Sequence, residues 1–152
     1  GVAIQRIEPK SNLLGVVNGM RTFIPLFKQQ RSGQIVNVAS LDSFVPFLEV
    51  SAYAASKAGV SGLTRSLAVE WGPKGVIVNA IAPGVFRTAL NAALLDGTER
   101  GKELRMRTPL KRFGQVEELV GLCIFLASDA ASFVNGQVIA VDGGFLASGV
   151  NQ

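Results

Sequence analysis

Three short apolar runs along the chain predict the strands of a parallel sheet. They cover residues 35–39, 76–81 and 138–141, are rich in Val, Ile and Ala, and contain no charged residue. Nearly continuous hydrophobicity of this kind is typical of strands that are buried on both faces of a sheet. We therefore expect three buried strands.

The segments around these runs predict helices. Residues 11–30 place apolar side chains at intervals of three and four, the pattern of an amphipathic helix. A second helix is predicted from Ser51, taken as its N-cap, to Trp71, and a third over residues 116–127. Because helices alternate with buried strands, the sequence predicts an α/β fold. It is a three-layer, Rossmann-like parallel sheet of which this chain supplies three strands.

The composition removes several classes of site. The 152 residues include no His, one Tyr and one Cys, which excludes a His-centred triad, a His-rich zinc site and an intrachain disulfide. We predict no metal site. Cys123 lies in an apolar helical segment and is interpreted as a core residue of a protein in the reducing cytoplasm. The longest apolar run, about nine residues, is too short to cross a membrane.

Fifteen Lys and Arg against eleven Asp and Glu give the chain a net charge of +4. Six of the basic residues lie in the segment from Arg100 to Arg112, where Glu103 and the preceding Glu99 partly offset them. The simplest interpretation is a solvated surface, with an anionic-ligand site and a nucleic-acid surface as the alternatives. We expect a small-molecule substrate, and neither nucleic acid nor a membrane as a partner.

The only Tyr, Tyr53, and Lys57 stand four residues apart near the start of the second predicted helix. That spacing places both side chains on one helix face. An ammonium group beside a phenol stabilises the phenolate and so favours acid–base chemistry near neutral pH. The alternative is a core Tyr beside a Lys whose stem packs on apolar surface while its charge reaches water.

Polar residues and glycines follow each predicted strand. Ser40 comes directly after the first strand, Pro83-Gly84 follows the second, and Asp142 follows the third. Open α/β sheets bind ligands at the carboxyl ends of their strands. We therefore expect these residues to surround one crevice.

Over residues 12–144 the chain resembles the short-chain dehydrogenase/reductase superfamily. The matching motifs occur in the family's order and spacing, with Ser40 thirteen residues before Tyr53. They are Asn12-Leu13-x-Gly15, Ile35-Val36-Asn37-x-x-Ser40, Tyr53-Ala54-Ala55-Ser56-Lys57, Asn79-Ala80-Ile81-Ala82-Pro83-Gly84 with Thr88, Pro109-Leu110-x-Arg112-x-Gly114, Phe125-Leu126-Ala127-Ser128-Asp129 and Val141-Asp142-Gly143-Gly144. The resemblance implies an NAD(P)-dependent oxidoreductase that interconverts a secondary alcohol and a ketone by hydride transfer.

The resemblance also implies roles for particular residues. Tyr53 would be the general acid/base, and Ser40 would hydrogen-bond the reacting oxygen. Lys57 would hold the nicotinamide ribose and support the phenolate. Asn12 would anchor a water molecule of a proton relay, with a helix cap or a surface amide as its alternative interpretation. Cofactor contacts are implied for Tyr53, Lys57, Pro83, Gly84, Val85 and Thr88.

One part of the family's pattern is missing from this chain. The glycine-rich turn that meets the pyrophosphate does not occur, because Gly15 and Gly19 lie within the first predicted helix and follow no strand. We therefore expect residues 1–152 to be the carboxyl-terminal part of a single Rossmann-fold domain, with NAD or NADP as its cofactor. The alternative is a truncated, non-catalytic remnant that retains the oligomerisation helices.

The resemblance further implies a homo-oligomer, either a dimer or a tetramer. Family members pair the helices that correspond to residues 11–30 and 51–71 in a four-helix interface. An Ala- and Gly-rich stripe on the second helix would allow that approach, although close packing within the monomer explains it equally well. Residues 87–112 resemble the family's mobile substrate loop, and their basic side chains predict a sugar, a sugar acid or a polyol as substrate.

Overall fold

The computed structural model describes residues 10–149, and a sheet of three parallel strands lies at its centre. The strands follow one another in the sheet as they do in the chain: β1 (Gly33–Val38), β2 (Val76–Pro83) and β3 (Val138–Val141). Val38 pairs with Ile81, and Pro83 pairs with Val141. The predicted parallel sheet is confirmed, and the carboxyl ends of its strands meet at one end of the sheet.

Within residues 10–149, five α-helices accompany the sheet: α1 (Gly15–Gln30), α2 (Ser51–Trp71), α3 (Ala92–Leu95), α4 (Glu99–Arg107) and α5 (Val120–Leu126). A π-helical turn, Lys10–Leu14, leads into α1. The helix predicted over residues 116–127 divides into a 3-10 turn, Val116–Leu119, followed by α5. Helix α4 has no counterpart in the prediction because its residues, mostly charged, show no apolar period.

The start of α2 corrects one detail of the prediction. Ser51 is the first helical residue, and Val50 occupies the N-cap position without a side-chain cap. The Val50 carbonyl accepts a hydrogen bond from the N–H of Ala54 at 2.9 Å, which closes the first helical turn. The helix therefore begins one residue earlier than capping by the Ser51 hydroxyl would require.

Alternate side chains of β2 pack against helices on opposite faces of the sheet. Val76 and Val78 cluster with Ala68 of α2, whereas Ile81 clusters with Leu126 of α5. Helix α1 lies on the same face as α2, where its Val16 packs against a second cluster built around β2. The result is the predicted arrangement of three layers, with the sheet in the middle.

The expectation that β1 is buried on both faces is wrong for the residues that the structure describes. Val38 is 50% exposed, and the first four residues of the strand are only half-buried. Within residues 10–149, β1 pairs along one edge alone, with β2. An apolar groove of about 470 Å³ separates the strand from α1. The described helices and strands thus leave part of this apolar strand uncovered.

Cys123 packs against the cluster around Leu126 as a partly buried residue. This position agrees with the interpretation of the thiol as part of the core. Among the described residues, no helix is both long enough and apolar enough to cross a bilayer. Location in the cytoplasm stays a prediction.

Candidate active site

Helix α2 presents Tyr53 and Lys57 on one face, as the spacing predicted. The Lys57 Nζ atom lies 5.7 Å from the centroid of the Tyr53 ring. The same ammonium group donates a hydrogen bond to the Val38 carbonyl at 2.8 Å, which ties the start of α2 to the end of β1. Partial burial lowers the pKa of Lys57, because desolvation disfavours its charged form. The Tyr53 residue itself is 39% exposed.

Asn12 reaches the same face of α2 from the π-helical turn before α1. Its Nδ2 donates to the Ser56 Oγ at 3.2 Å, and the Ser56 hydroxyl in turn donates to the Tyr53 carbonyl at 2.7 Å. Asn12 and Lys57 both line the groove beside β1. The sequence analysis assigned Ser56 no role, and its link to Asn12 became visible only in the fold.

Ser40 is buried at the carboxyl end of β1. Its Oγ accepts a hydrogen bond from the N–H of Asp42 at 3.2 Å, which opens the short 3-10 turn Leu41–Ser43. Ser40 stands two residues beyond Val38, and Pro83 stands two beyond the paired Ile81. The two residues are therefore level with each other at the end of the sheet, where the sequence analysis expected a crevice.

Asp42 is a site residue that the sequence analysis missed. Its Oδ2 lies 3.5 Å from the Ser40 Oγ, and its Oδ1 is buried without a hydrogen-bond partner in residues 10–149. Burial raises the pKa of Asp42, although the backbone N–H of Phe47, the hydrogen bond with Ser40 and the positive charge of Arg100 act in the opposite direction. A carboxylate two residues after the candidate Ser was the only signal available in the sequence.

The end of β2 approaches β3 very closely. The Gly84 N–H donates to the Val141 carbonyl at 2.9 Å, and a Cβ at Gly84 would lie 2.7 Å from the Cα of Asp142. The small size of Gly84 thus allows the residue after β3 to approach, a packing requirement that the sequence analysis did not identify. Val85 continues from this turn, and its carbonyl accepts from the Gly114 N–H at 2.9 Å.

Several cations in and near the basic segment pair with carboxylates. Arg87 forms a bidentate hydrogen-bonded pair with Asp96, Arg112 forms one with Glu118, and Lys102 pairs with Glu99. The Arg112 guanidinium lowers the pKa of Glu118 to about 2. Because these pairs are exposed, they contribute little to stability and orient the charges instead.

Three cations of the basic segment, Arg105, Arg107 and Lys111, form no ion pair within residues 10–149. The Arg107 guanidinium lies 5.0 Å from the Phe145 ring centroid. The side chain lines a cavity of about 540 Å³ between α4 and the loop of residues 46–49. Arg100, which lies 3.8 Å from Glu49, also faces this cavity. Three acidic residues, Glu49, Glu99 and Glu103, complete its charged lining.

The donors at this end of the sheet fit the nicotinamide-ribose part of a dinucleotide. Lys57 uses one of its three N–H donors at Val38, and the other two could bind a ligand hydroxyl. The Thr88 hydroxyl has no partner in the part of the chain that the structure describes, while the Thr88 N–H donates to Asn91 Oδ1 at 2.8 Å. Within residues 10–149, no three His, Cys, Asp or Glu side chains are grouped as metal ligands.

Comparison with known proteins finds related sequences and structures. A family model described as enoyl-(acyl carrier protein) reductase matches residues 9–146. The 2-dehydro-3-deoxy-D-gluconate 5-dehydrogenase of Bacillus subtilis is 47% identical over 114 residues, which are 75% of this chain and 45% of that protein. The 3-oxoacyl-(acyl-carrier-protein) reductase FabG of Thermotoga maritima is 43% identical over 136 residues, 89% of this chain and 54% of that protein.

Solved structures agree with these relatives. The crystal structure of a gluconate 5-dehydrogenase from Burkholderia cenocepacia, in complex with NADP and tartrate, superposes with a TM-score of 0.91 at 38% sequence identity. The superposition covers 97% of this chain and 59% of that one. The chain thus spans about half the length of the proteins that it matches.

Proposed function

Because this chain belongs to the short-chain dehydrogenase/reductase superfamily, we propose that it carries the acid–base half of an NAD(P)-dependent oxidoreductase. The reaction interconverts a secondary alcohol and a ketone. Residues 1–152 form the carboxyl-terminal part of a single Rossmann-fold domain in this proposal. The observation that carries it is the placement of Tyr53 and Lys57 on one face of α2, tied to β1 next to Ser40.

Tyr53 acts as the general acid/base. In oxidation its phenolate takes the proton of the substrate hydroxyl, and in reduction its phenol returns a proton to the carbonyl oxygen. The exposure of Tyr53 and the Lys57 ammonium 5.7 Å from its ring centroid support this role, since a cation stabilises the phenolate. Ser40 donates a hydrogen bond to the same substrate oxygen and orients it.

Asn12 connects Tyr53 and Lys57 to solvent in the proposed mechanism. The Asn12 amide is held against α2 by Ser56 and lines the same groove as Lys57. A water molecule bound between Asn12 and Lys57 would pass the Tyr53 proton outward. Asn12 is therefore a positioning residue for the relay.

The cofactor in this proposal is NAD or NADP, which supplies or accepts the hydride when it is bound. Lys57 holds the nicotinamide ribose, while Pro83, Gly84 and Val85 place backbone beside the nicotinamide ring. The unpartnered Thr88 hydroxyl offers a donor to the carboxamide or a phosphate. The crystal structure of the gluconate 5-dehydrogenase from Burkholderia cenocepacia contains NADP, which supports this choice of cofactor class.

A sugar acid is the substrate class that we favour among sugars, sugar acids and polyols. Relatives whose names specify gluconate derivatives support it. The cavity beside α4 also offers the Arg107 guanidinium to a carboxylate, and acidic side chains that can accept hydrogen bonds from hydroxyl groups. Most other cations of the segment are engaged with carboxylates of the protein.

We also propose a homo-oligomer built through α1 and α2. The Ala- and Gly-rich stripe on α2 packs partly within the chain and is partly open. A Cβ at Gly59 would lie 3.2 Å from Leu13, whereas nothing in the described structure lies within 4 Å of a Cβ at Gly62. Apolar side chains on the outer surface of these helices support an interface, with Phe23 at 55% and Val69 at 79% exposure. Such exposed apolar groups on adjacent helices are typical of subunit contacts.

Turnover by the natural protein that carries this sequence tests the proposal. Sugar acids and matched neutral polyols should be offered with NAD⁺ and NADP⁺ in turn, while the absorbance of the reduced nicotinamide is followed. We expect cofactor reduction, and a higher kcat/KM for the acids. A protein that reduces neither cofactor with any alcohol, nor oxidises the reduced cofactor with any ketone, would instead be the non-catalytic oligomer-forming remnant.

A further inference from the structure

The carboxyl group of Asp42 packs beside the hydroxyl that the proposed reaction uses, yet that reaction assigns it no part. We propose that Asp42 is a positioning residue that controls which way the Ser40 proton points. Its neutral form leaves that proton free for the substrate oxygen, and its ionised form takes the proton away. This inference rests on the proposed function, since it concerns the hydrogen bond from Ser40 to the reacting oxygen.

The ionised form competes with the substrate for one hydrogen. The Ser40 Oγ already accepts from the Asp42 N–H at 3.2 Å. Its single O–H faces the Asp42 Oδ2 at 3.5 Å. A carboxylate can only accept hydrogen bonds, so it attracts this proton. In addition, its charge opposes the negative charge that develops on the substrate oxygen during oxidation.

The neutral form reverses this hydrogen bond. A protonated carboxyl group carries one O–H donor, which can point at the Ser40 Oγ. The Oγ then accepts two hydrogen bonds, from the N–H and from the O–H of Asp42, and its own proton is free. Ser40 can donate that proton to the substrate oxygen without breaking any other contact.

The surroundings of the carboxyl group favour the neutral form more than water does. Oδ1 is buried and has no hydrogen-bond partner in residues 10–149, and an unsatisfied buried oxygen costs more when it is charged. Desolvation accordingly raises the pKa of Asp42. The neutral population therefore extends to higher pH than it does for an exposed aspartate.

The Phe47 backbone N–H and the charged groups of the neighbouring elements limit the size of this effect, because hydrogen bonding by that N–H also favours the carboxylate. Arg100 of α4 favours the carboxylate, but it also donates to the Leu48 carbonyl at 3.3 Å and lies 3.8 Å from Glu49. Helix α2 brings the Lys57 ammonium and the Tyr53 phenol to the same end of the sheet. Strand β2 contributes no titratable side chain. The direction of the shift remains upward.

The test introduces Asp42→Asn into the natural protein and compares this variant with the wild type, both in the presence of the cofactor. The ratio of kcat/KM, variant over wild type, is measured from mildly acidic to alkaline pH. This ratio cancels every pH dependence that the two proteins share. The amide introduced by this substitution would donate to the Ser40 Oγ at every pH, as the neutral carboxyl group does. We expect this ratio to be near one at acidic pH. At pH values above the pKa of Asp42 it should rise to about five.

Two further variants keep the result interpretable. Asp42→Ala also removes the carboxylate, so its ratio should rise with pH in the same way even though the amide is absent. In a Ser40→Ala background, Asp42→Asn should produce no pH-dependent change. A ratio that does not change with pH overturns the inference, and so does a pH-dependent rise that persists in the Ser40→Ala background. Either result leaves the proposed function intact. A wild-type protein without turnover contradicts both.

Discussion

A buried hydrogen bond between Asn37 and Thr64 should hold the two halves of the candidate site together. Asn37 of β1 is 6% exposed, and its Nδ2 donates to the Thr64 Oγ1 at 2.9 Å. Thr64 of α2 is fully buried, and its hydroxyl donates to the Val60 carbonyl at 2.8 Å. The bond thus connects the strand that leads to Ser40 with the helix that carries Tyr53.

Thr64→Val keeps the shape of the side chain and removes the only acceptor that the structure gives to the Asn37 Nδ2. The Val60 carbonyl keeps its partner in the helix. The cost is therefore the desolvation of one buried N–H donor, about 1–3 kcal/mol of unfolding free energy. Replacing both partners with Val removes the orphaned donor, and the loss should be smaller than the sum of the two single losses by about 1 kcal/mol.

Urea unfolding of the natural protein measures these differences. Thr22→Val on α1 is the matched control, because that hydroxyl makes the same bond to the carbonyl four residues earlier but is exposed. Its effect should stay within about 0.5 kcal/mol. Additive effects of Asn37→Val and Thr64→Val, or a Thr64→Val loss no larger than that of the control, would refute the reasoning.

Two other predictions concern the sheet end and the substrate cavity. Gly84→Ala should lower stability by about 1–3 kcal/mol in urea unfolding, because its Cβ would meet the Asp142 backbone at 2.7 Å; Gly121→Ala on α5, with nothing within 4 Å of its Cβ, should not. Equal losses would contradict this. Arg107→Gln should raise the KM for a sugar acid about ten-fold with little change in kcat, whereas Arg105→Gln, which replaces a guanidinium that lies over Phe113, should leave KM unchanged. A common KM for both variants would exclude Arg107 from substrate binding.

The pattern of apolar residues located the strands whether or not residues 10–149 bury them. Strand β3 was predicted at its observed bounds, and β2 extends only two residues beyond its apolar run because Ala82 and Pro83 still pair with β3. Burial itself was predicted well only for the central strand β2, because the four residues of β3 and most of β1 are only half-buried. The hydrophobicity of a segment indicates that its side chains favour burial. It does not indicate which residues cover the segment.

The site was predictable where local spacing determines geometry. The four-residue spacing of Tyr53 and Lys57 follows from helix geometry alone. Asp42 could not be found in this way, because its effect on Ser40 depends on burial and on a charge from the distant helix α4. Contacts of that kind arise from tertiary packing, for which a single sequence contains no periodic signal.

The central claim is that Tyr53 transfers the proton in an oxidoreductase reaction, and Tyr53→Phe tests it most directly. The ring and its packing are kept, and only the acidic hydroxyl is lost. Turnover of the natural protein with its best alcohol substrate should fall by about 10²–10⁴-fold, the contribution of a positioned acid/base. Binding of the nicotinamide cofactor should change little. Turnover equal to that of the wild-type protein would contradict the account.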